Sequence, residues 1–248
     1  MRETIKNAYI IAKREFAGYF ATPLAAVFLT IFVALTGAFA FFIGGFFQRG
    51  QANLDSFFAY HPWLYLLLVP AVAMRLWAEE RKSGTIELLM TLPISPTEAI
   101  LGKFAAAWAF IGLALILTFP IWITVNVLGN PDNGIIVTSY LGSFLVAGAF
   151  LAIGAFISAL TKNQVIAFIL TATVCFLLVT SGMEIVQNVL RSWTPRIVAD
   201  AVASMSFLTH YEEITRGVLS LDTLVFFLSI IAFALFANAV AVGQKKSA

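Results

Sequence analysis

Charged residues are scarce in this chain of 248 residues. Asp, Glu, Lys and Arg make up only 11% of it, whereas soluble domains carry about 25%. Hydrophobic residues account for 60%, and the mean hydropathy is +0.93. This balance excludes a water-soluble globular domain, an intrinsically disordered tail and a nucleic-acid-binding domain. The net charge of +2 is too small to indicate a partner by itself.

Cysteine is nearly absent too, since Cys175 is the only one. A single thiol cannot form an internal disulfide. Because Cys175 lies in the middle of an apolar stretch, we expect it to be a small buried hydrophobic side chain.

The charged residues leave six uncharged windows of 19 to 33 residues. A helix needs about 20 residues to cross a bilayer, so each window can span the membrane once. The sequence therefore predicts an all-α integral membrane protein with a domain of six transmembrane helices over residues 23–248. The predicted spans cover about 23–47, 57–78, 101–129, 136–161, 164–183 and 223–243.

The basic residues are unevenly divided between the two sides of these spans. Eleven of the 15 Lys and Arg residues fall on the side that carries both termini. The positive-inside rule therefore places both termini in the cytoplasm. The basic start also resembles a secretory signal, but its charged part is long and its uncharged window exceeds a signal core, so we expect no cleavage.

The first 22 residues differ from the spans. Apolar residues recur there at three- and four-residue spacing, and basic residues occupy other faces, which predicts an amphipathic helix on the cytoplasmic membrane surface. Thr22-Pro23 ends it. The alternative is a cytoplasmic extension of the first span. The apolar positions are Ile5, Ala8, Tyr9, Ala12, Phe16, Tyr19 and Phe20, and the basic ones are Lys6, Lys13 and Arg14.

Two further segments carry structural signals. Gly148, Ala152, Ala155 and Ala159, beside Gly154 and Ser158, form a stripe of small residues that predicts close helix packing. The external segment 184–222 is too apolar for a floppy loop. We expect short helices there that rest on or dip into the outer leaflet, with Trp193 at interface depth.

The cytoplasmic loop 79–98 has the pattern helix, turn, short helix, turn, helix. Gly84 suits a left-handed helix end. Residues 85–92 have room for about two turns before Pro93, and Ser95-Pro96-Thr97-Glu98 is a capping box that starts the next helix. The short helix is apolar where no lipid covers it. It either inserts into a groove of a partner or packs on the protein's own N-terminal helix.

Residues 79–95, EERKSGTIELLMTLPIS, resemble the signature loop of ABC-2-type transporter permeases. The family pattern is an acidic and basic run, then Gly-Thr-x-Glu-x-Leu, then Pro-x-Ser. The resemblance implies that the 85–92 helix is a coupling helix that receives the motion of an ATPase. The coupling residues that it implies are Glu79, Glu80, Gly84, Thr85, Glu87, Leu89, Pro93 and Ser95.

The resemblance also implies partners and a location. A permease of this kind pairs with a second copy or a related permease, docks two cytoplasmic ABC ATPase subunits and sits in the bacterial inner membrane. No cofactor is expected in this chain, because ATP and Mg belong to the partner ATPase. Residues 207–222 look like the gliding-motility (GldF-like) permease subfamily, which implies a periplasmic or accessory Gld-type subunit as a further partner.

Missing motifs support this expectation independently. No G-x-x-x-x-G-K followed by Ser or Thr occurs, so ATP would be hydrolysed elsewhere. The windows lack the Asp, Glu, Lys and Arg side chains that a proton- or sodium-driven carrier normally needs. His61 and His210 fall near the external ends of spans, and His210 beside Glu212 and Glu213 is a weak metal signal.

We therefore predict an exporter-type ABC permease subunit for hydrophobic, amphipathic or polymeric cargo. Two alternatives belong to other classes of protein. One is a membrane assembly or anchoring protein that transports nothing, and the other is a membrane-bound enzyme.

Overall fold

The computed structural model of the protein describes residues 2–85 and 94–243. Every regular element in these residues is helical and none is a strand, so the all-α prediction is confirmed. The α-helices, numbered along the described ranges, are α1 Arg2–Phe20, α2 Pro23–Ala38, α3 Asp55–Phe58, α4 His61–Ala73, α5 Ala78–Ser83, α6 Pro96–Ile116, α7 Phe119–Leu128, α8 Asn133–Leu160, α9 Gln164–Thr180, α10 Glu184–Trp193, α11 Arg196–Ser204, α12 Phe207–Thr215 and α13 Leu221–Gly243. A π-helical turn, Phe39–Ile43, continues α2.

Several stretches are long and apolar enough to cross a membrane. Five qualify by themselves, and the number rises to six if α9 and α10 form one span that is broken by a bend of 87°. The chain is therefore a multi-pass membrane protein. The five stretches are Ala25–Ile43, Asp55–Ser83, Pro96–Leu128, Asn133–Leu160 and Leu221–Gly243.

Local sequence explains where the helices begin and end. Pro23 occupies the first position of α2 after an extended Thr22, which separates α1 from the first long apolar stretch. The side chains of Asp132 and Asn163 accept hydrogen bonds from the first backbone amides of α8 and α9. The second long stretch is less regular than predicted, because residues 74–77 interrupt it between α4 and α5.

Helix α8 forms the centre of the molecule and packs against α4, α6, α9, α12 and α13. Its small residues allow this crowding, as predicted. Gly148 lies under the ring of Trp108 from α6, where a Cβ atom would come within 2.7 Å of the indole. Ala152, Ala155 and Ala159 are buried beside it. The small-residue stripe therefore has a packing role.

Three short helices, α10 to α12, occupy the segment that was predicted to be external. Ile185, Val189 and Trp193 follow one another at four-residue spacing on α10 and are all exposed. Tyr211 on α12 anchors the segment, because its hydroxyl donates a 3.0 Å hydrogen bond to the carbonyl oxygen of Phe58. The depth of Trp193 in a leaflet stays a prediction.

Two residues with reactive side chains are part of the core. Cys175 is buried on α9, as expected. His61 is completely buried at the start of α4, where its Nδ1 lies 2.7 Å from the hydroxyl of Ser143, which in turn lies 2.6 Å from the hydroxyl of Tyr65. The sequence pattern alone placed His61 only near the end of a span and did not indicate this polar contact inside the bundle.

Candidate functional site

The predicted site residues lie around the junction of α1, α5 and α6. Glu79 and Glu80 are on α5, with Gly84 and Thr85 directly after it, and Ser95 precedes α6. Lys6, Lys13, Arg14 and Phe16 are on α1. Glu87, Leu89 and Pro93, together with nearly all of the predicted 85–92 helix, lie outside the described residues.

A serine from α8 fixes the start of α5. The hydroxyl of Ser158 accepts hydrogen bonds from the backbone amides of Trp77 (3.2 Å) and Ala78 (3.0 Å) and donates one to the carbonyl of Met74 (2.9 Å). These backbone groups border the interruption between α4 and α5, where regular helical hydrogen bonding is lost. Ser158 therefore supplies from another helix the partners that the broken segment lacks.

The end of α5 is held by both local and distant contacts. Gly84 has φ of 75° and ψ of 3°, the left-handed conformation that was predicted for it. The hydroxyl of Ser83 donates to the carbonyl of Glu79 at 3.0 Å and contacts the hydroxyl of Thr85 at 2.9 Å. The guanidinium of Arg81 donates to the carbonyl of Ala159 near the end of α8. The segment that leads into residues 86–93 is therefore attached to α8 at both ends of α5.

A buried lysine joins α5 to α1. Lys103 on α6 keeps only 5% of its side chain exposed. Its Nζ lies 2.7 Å from Oε1 of Glu80 and 3.3 Å from Oε2 of Glu15, and it stands 5.5 Å above the ring of Trp77. An ammonium group in such a place needs acidic partners, because burial removes its hydration. Lys103 therefore links three helices through one charge.

The capping box of α6 makes a second link to α1. The backbone amide of Glu98 donates to the hydroxyl of Ser95 at 3.2 Å, and the amide of Ser95 donates to Oε2 of Glu98 at 3.0 Å, as the sequence predicted. The same Oε2 accepts a 3.4 Å hydrogen bond from the side-chain amide of Asn7 on α1. The first turn of α6 therefore contacts both the end of the loop and α1.

Helix α1 has two different faces. Ala8, Ile11 and Glu15 face α6, whereas Ile5 and Tyr9 are exposed on a separate apolar face that continues towards Phe20. Lys6 and Lys13 are exposed at the edge of that apolar face. The seven apolar positions predicted as one face are thus divided between protein contact and exposure.

The ion pairs of the junction have an uncharged neighbour in Tyr19. The Tyr19 phenol near the end of α1 stacks on Phe110 of α6 at 4.8 Å between ring centroids. Burial, with a contribution from the Glu15 carboxylate, raises the pKa of this phenol well above its usual value. Tyr19 therefore stays neutral at physiological pH and adds no charge beside Glu15.

Sequence reasoning missed Lys103, Glu15, Trp77 and Ser158. One signal was present for Lys103, because it is a single charge between the capping box and the long apolar run of α6. Ser158 was noticed only as a small residue. Their partners are far apart in sequence, and no local pattern pairs them.

The junction contains ion pairs, helix caps and a break between two helices. The residues that the structure describes contain no group of three or more His, Cys, Asp or Glu side chains that could hold a metal ion. His210, the weak metal candidate, stacks on Phe226 at 3.9 Å, and its Nδ1 lies 2.8 Å from the carbonyl of Ser206.

Comparison with known proteins gives the family. Among curated proteins, no match was found. A family model described as "ABC-2 family transporter protein" matches residues 9–243. That range includes α1 from residue 9 onwards, the α5 junction and every long apolar stretch. Permeases of this family act with ABC ATPase subunits, which are generally separate chains. The chain therefore belongs to the ABC-2 family of transporter proteins and is a multi-pass permease subunit.

Proposed function

We propose that this chain is the permease subunit of an exporter in the bacterial cytoplasmic membrane, with both termini in the cytoplasm. Its cargo is hydrophobic, amphipathic or polymeric, since the six uncharged windows offer no charged side chain that would stabilise an ion. The observation that carries the proposal is the family match over residues 9–243. Two cytoplasmic ATPase subunits bind the dimer that the chain forms with a second copy or a related permease.

Coupling to the ATPase takes place through residues 85–92 in this proposal. Movement of that segment reaches α5, whose two ends are attached to α8 by Ser158 and Arg81. Glu80 transmits this movement to Lys103 through their ion pair, and Lys103 transmits it to Glu15 on α1. Since α8 forms the centre of the bundle, a displacement of α5 moves the central helix rather than a peripheral one.

Helix α1 is the membrane-surface element in this proposal. One face is occupied by α6, and the exposed apolar face with Ile5 and Tyr9 is available to the lipid boundary. Lys6, Lys13 and Arg14 would lie near anionic headgroups. Within the family we propose the GldF-like subfamily, with a Gld-type accessory subunit, on the sequence of residues 207–222 alone.

The test is purification of the tagged full chain from membranes, with identification of a co-purifying P-loop ATPase. ATP hydrolysis is then measured in reconstituted vesicles, with and without candidate cargo. Glu87→Arg should abolish transport-coupled ATP hydrolysis, because it reverses a charge in the segment that meets the ATPase, while insertion into the membrane stays intact.

A matched control is Asp200→Arg, which reverses an exposed acidic side chain on α11 and should leave hydrolysis unchanged. Wild-type hydrolysis in Glu87→Arg would refute the coupling role of residues 85–92. A purified complex with no ATPase would instead favour the assembly or anchoring alternative.

A further inference from the structure

A cavity of about 190 Å³ opens between α2 and α4, on the side of the molecule where α1 ends. Phe28 and Ile31 line it from α2, Leu68 and Ala71 line it from α4, and Phe110 of α6 closes it. An apolar cavity of about 150 Å³ is large enough to take benzene. This one therefore has room for a stretch of hydrocarbon chain.

Arg75 lies at the same cavity, and among the residues that the structure describes no carboxylate pairs with its charge. Its Nε is buried without a hydrogen-bond partner, and no carboxylate of the described residues lies within 4.0 Å of its guanidinium. The other lining groups are almost all apolar, apart from the neutral phenol of Tyr19. A partly buried guanidinium is costly unless an acceptor meets it.

The chemistry of the missing partner follows from the guanidinium and its position. A guanidinium forms paired hydrogen bonds with phosphate oxygens, for which its planar shape is suited. Arg75 directly follows the uncharged window 56–74, where the nearest phosphate belongs to a phospholipid whose acyl chain would extend into the apolar space beneath. Basic pockets between transmembrane helices are known to bind lipid headgroups in this way.

We propose that Arg75 and the α2–α4 cavity bind one anionic phospholipid. Its phosphate meets the Arg75 guanidinium, and part of one acyl chain fills the space between Ile31 and Leu68. An anionic lipid fits better than a zwitterionic one, because its net charge complements the guanidinium and no carboxylate of the described residues lies within 4.0 Å of Arg75 to receive an ammonium. A second copy of the chain fits poorly, because its predicted spans contain no Asp or Glu that could meet the guanidinium.

The proposal does not depend on transport or on an ATPase. The lipid would contact the end of α1 through Tyr19 and also α2, α4 and α6, so it would help to hold α1 against the bundle.

Native mass spectrometry of the purified full chain tests the site. Phosphatidylglycerol and phosphatidylcholine with the same acyl chains are titrated separately. Wild type should prefer phosphatidylglycerol, and Arg75→Gln should weaken phosphatidylglycerol binding about tenfold, because a charge-assisted pair is lost. Phosphatidylcholine, which has the same phosphate but no net charge, should bind wild type more weakly and lose less in Arg75→Gln. Lys162→Gln, which removes an exposed positive charge elsewhere, is the matched control and should behave like wild type.

A second variant tests the cavity without touching the charge. Ala71→Leu should fill the space beside Leu68 and weaken phosphatidylglycerol binding by several-fold, with Arg75 still present. Equal binding in wild type and Arg75→Gln, or an equal loss in Lys162→Gln, would overturn the assignment of the headgroup. Unchanged binding in Ala71→Leu would overturn the acyl-chain site. Disulfide cross-linking of two Val27→Cys chains without bound lipid would show that a second copy, and not a lipid, occupies the α2–α4 cavity.

Discussion

Single polar side chains decide how the junction holds together. Lys103 is surrounded by two carboxylates and an aromatic ring, although the residues that follow it in α6 form a long uncharged run. Glu15 and Glu80 keep 26% and 22% of their side chains exposed, so solvent screens part of the attraction. A partly buried network of this kind is costly to break from one side, because the remaining charges lose their partner.

We expect Lys103→Met to lower the free energy of unfolding by about 2 kcal/mol, since it leaves Glu80 without its ion pair and Glu15 with only the exposed Arg14. Thermal unfolding of the protein in detergent measures this. The triple variant Glu15→Gln, Glu80→Gln and Lys103→Met removes all three charges and should recover most of the loss. A triple variant no more stable than Lys103→Met would contradict the ion-pair explanation.

Ser158 offers a second prediction at the same scale. Ser158→Ala removes one acceptor of two backbone hydrogen bonds and one donor, so we expect a loss of about 1–3 kcal/mol. Hydrogen exchange at the amides of Trp77 and Ala78 should accelerate. Ser229→Ala is the matched control, because that exposed hydroxyl bonds only within its own helix. The same acceleration of exchange in both variants would contradict the role of Ser158 in holding the start of α5.

At the scale of elements, close contact between α1 and α6 depends on one glycine. A Cβ atom on Gly102 would come within 2.7 Å of Ile11 side-chain atoms and 2.9 Å of the Ala8 carbonyl oxygen. Only a residue without a side chain allows the two helices to approach this closely. The packing of α1, and with it the pair between Glu15 and Lys103, therefore rests on Gly102.

Gly102→Ala should loosen α1 from α6, although alanine favours a helix over glycine. Proteolysis after the exposed Lys13 and Arg14 reports this release, and it should become faster. Gly18→Ala is the matched control, because nothing lies within 4 Å of its added Cβ atom and the change should be neutral or stabilising. Resistance of Gly102→Ala to proteolysis at the wild-type level would contradict the role of this contact.

At the scale of the whole molecule, the orientation in the membrane can be tested by labelling. The only native thiol, Cys175, is completely buried and should give no background. Lys162→Cys lies in the exposed turn between α8 and α9, and Arg191→Cys lies on α10. With cytoplasmic termini, an impermeant maleimide should label Arg191→Cys in intact cells and Lys162→Cys only after permeabilisation. Labelling of Lys162→Cys in intact cells, with Arg191→Cys labelled only after permeabilisation, would contradict the predicted orientation.

Much of the architecture could be predicted because it depends on short-range properties. Hydropathy over about 20 residues indicated the long apolar helices. Capping chemistry located the start of α6 at Ser95 and the left-handed Gly84, since caps are satisfied by residues three or four positions away. The interruption at residues 74–77 escaped prediction, because neither proline nor glycine marks it and its hydrogen-bond partner comes from α8.

The sequence by itself determined that this is a helical membrane protein of few charges, because the bilayer selects for apolar length and local caps set helix ends. Only the tertiary structure decided what those few charges do. Ser158 and Trp77 are 81 positions apart, and Lys103 meets acidic groups from two other helices. Such pairings depend on how the helices pack around α8, and no spacing along the chain encodes that packing directly.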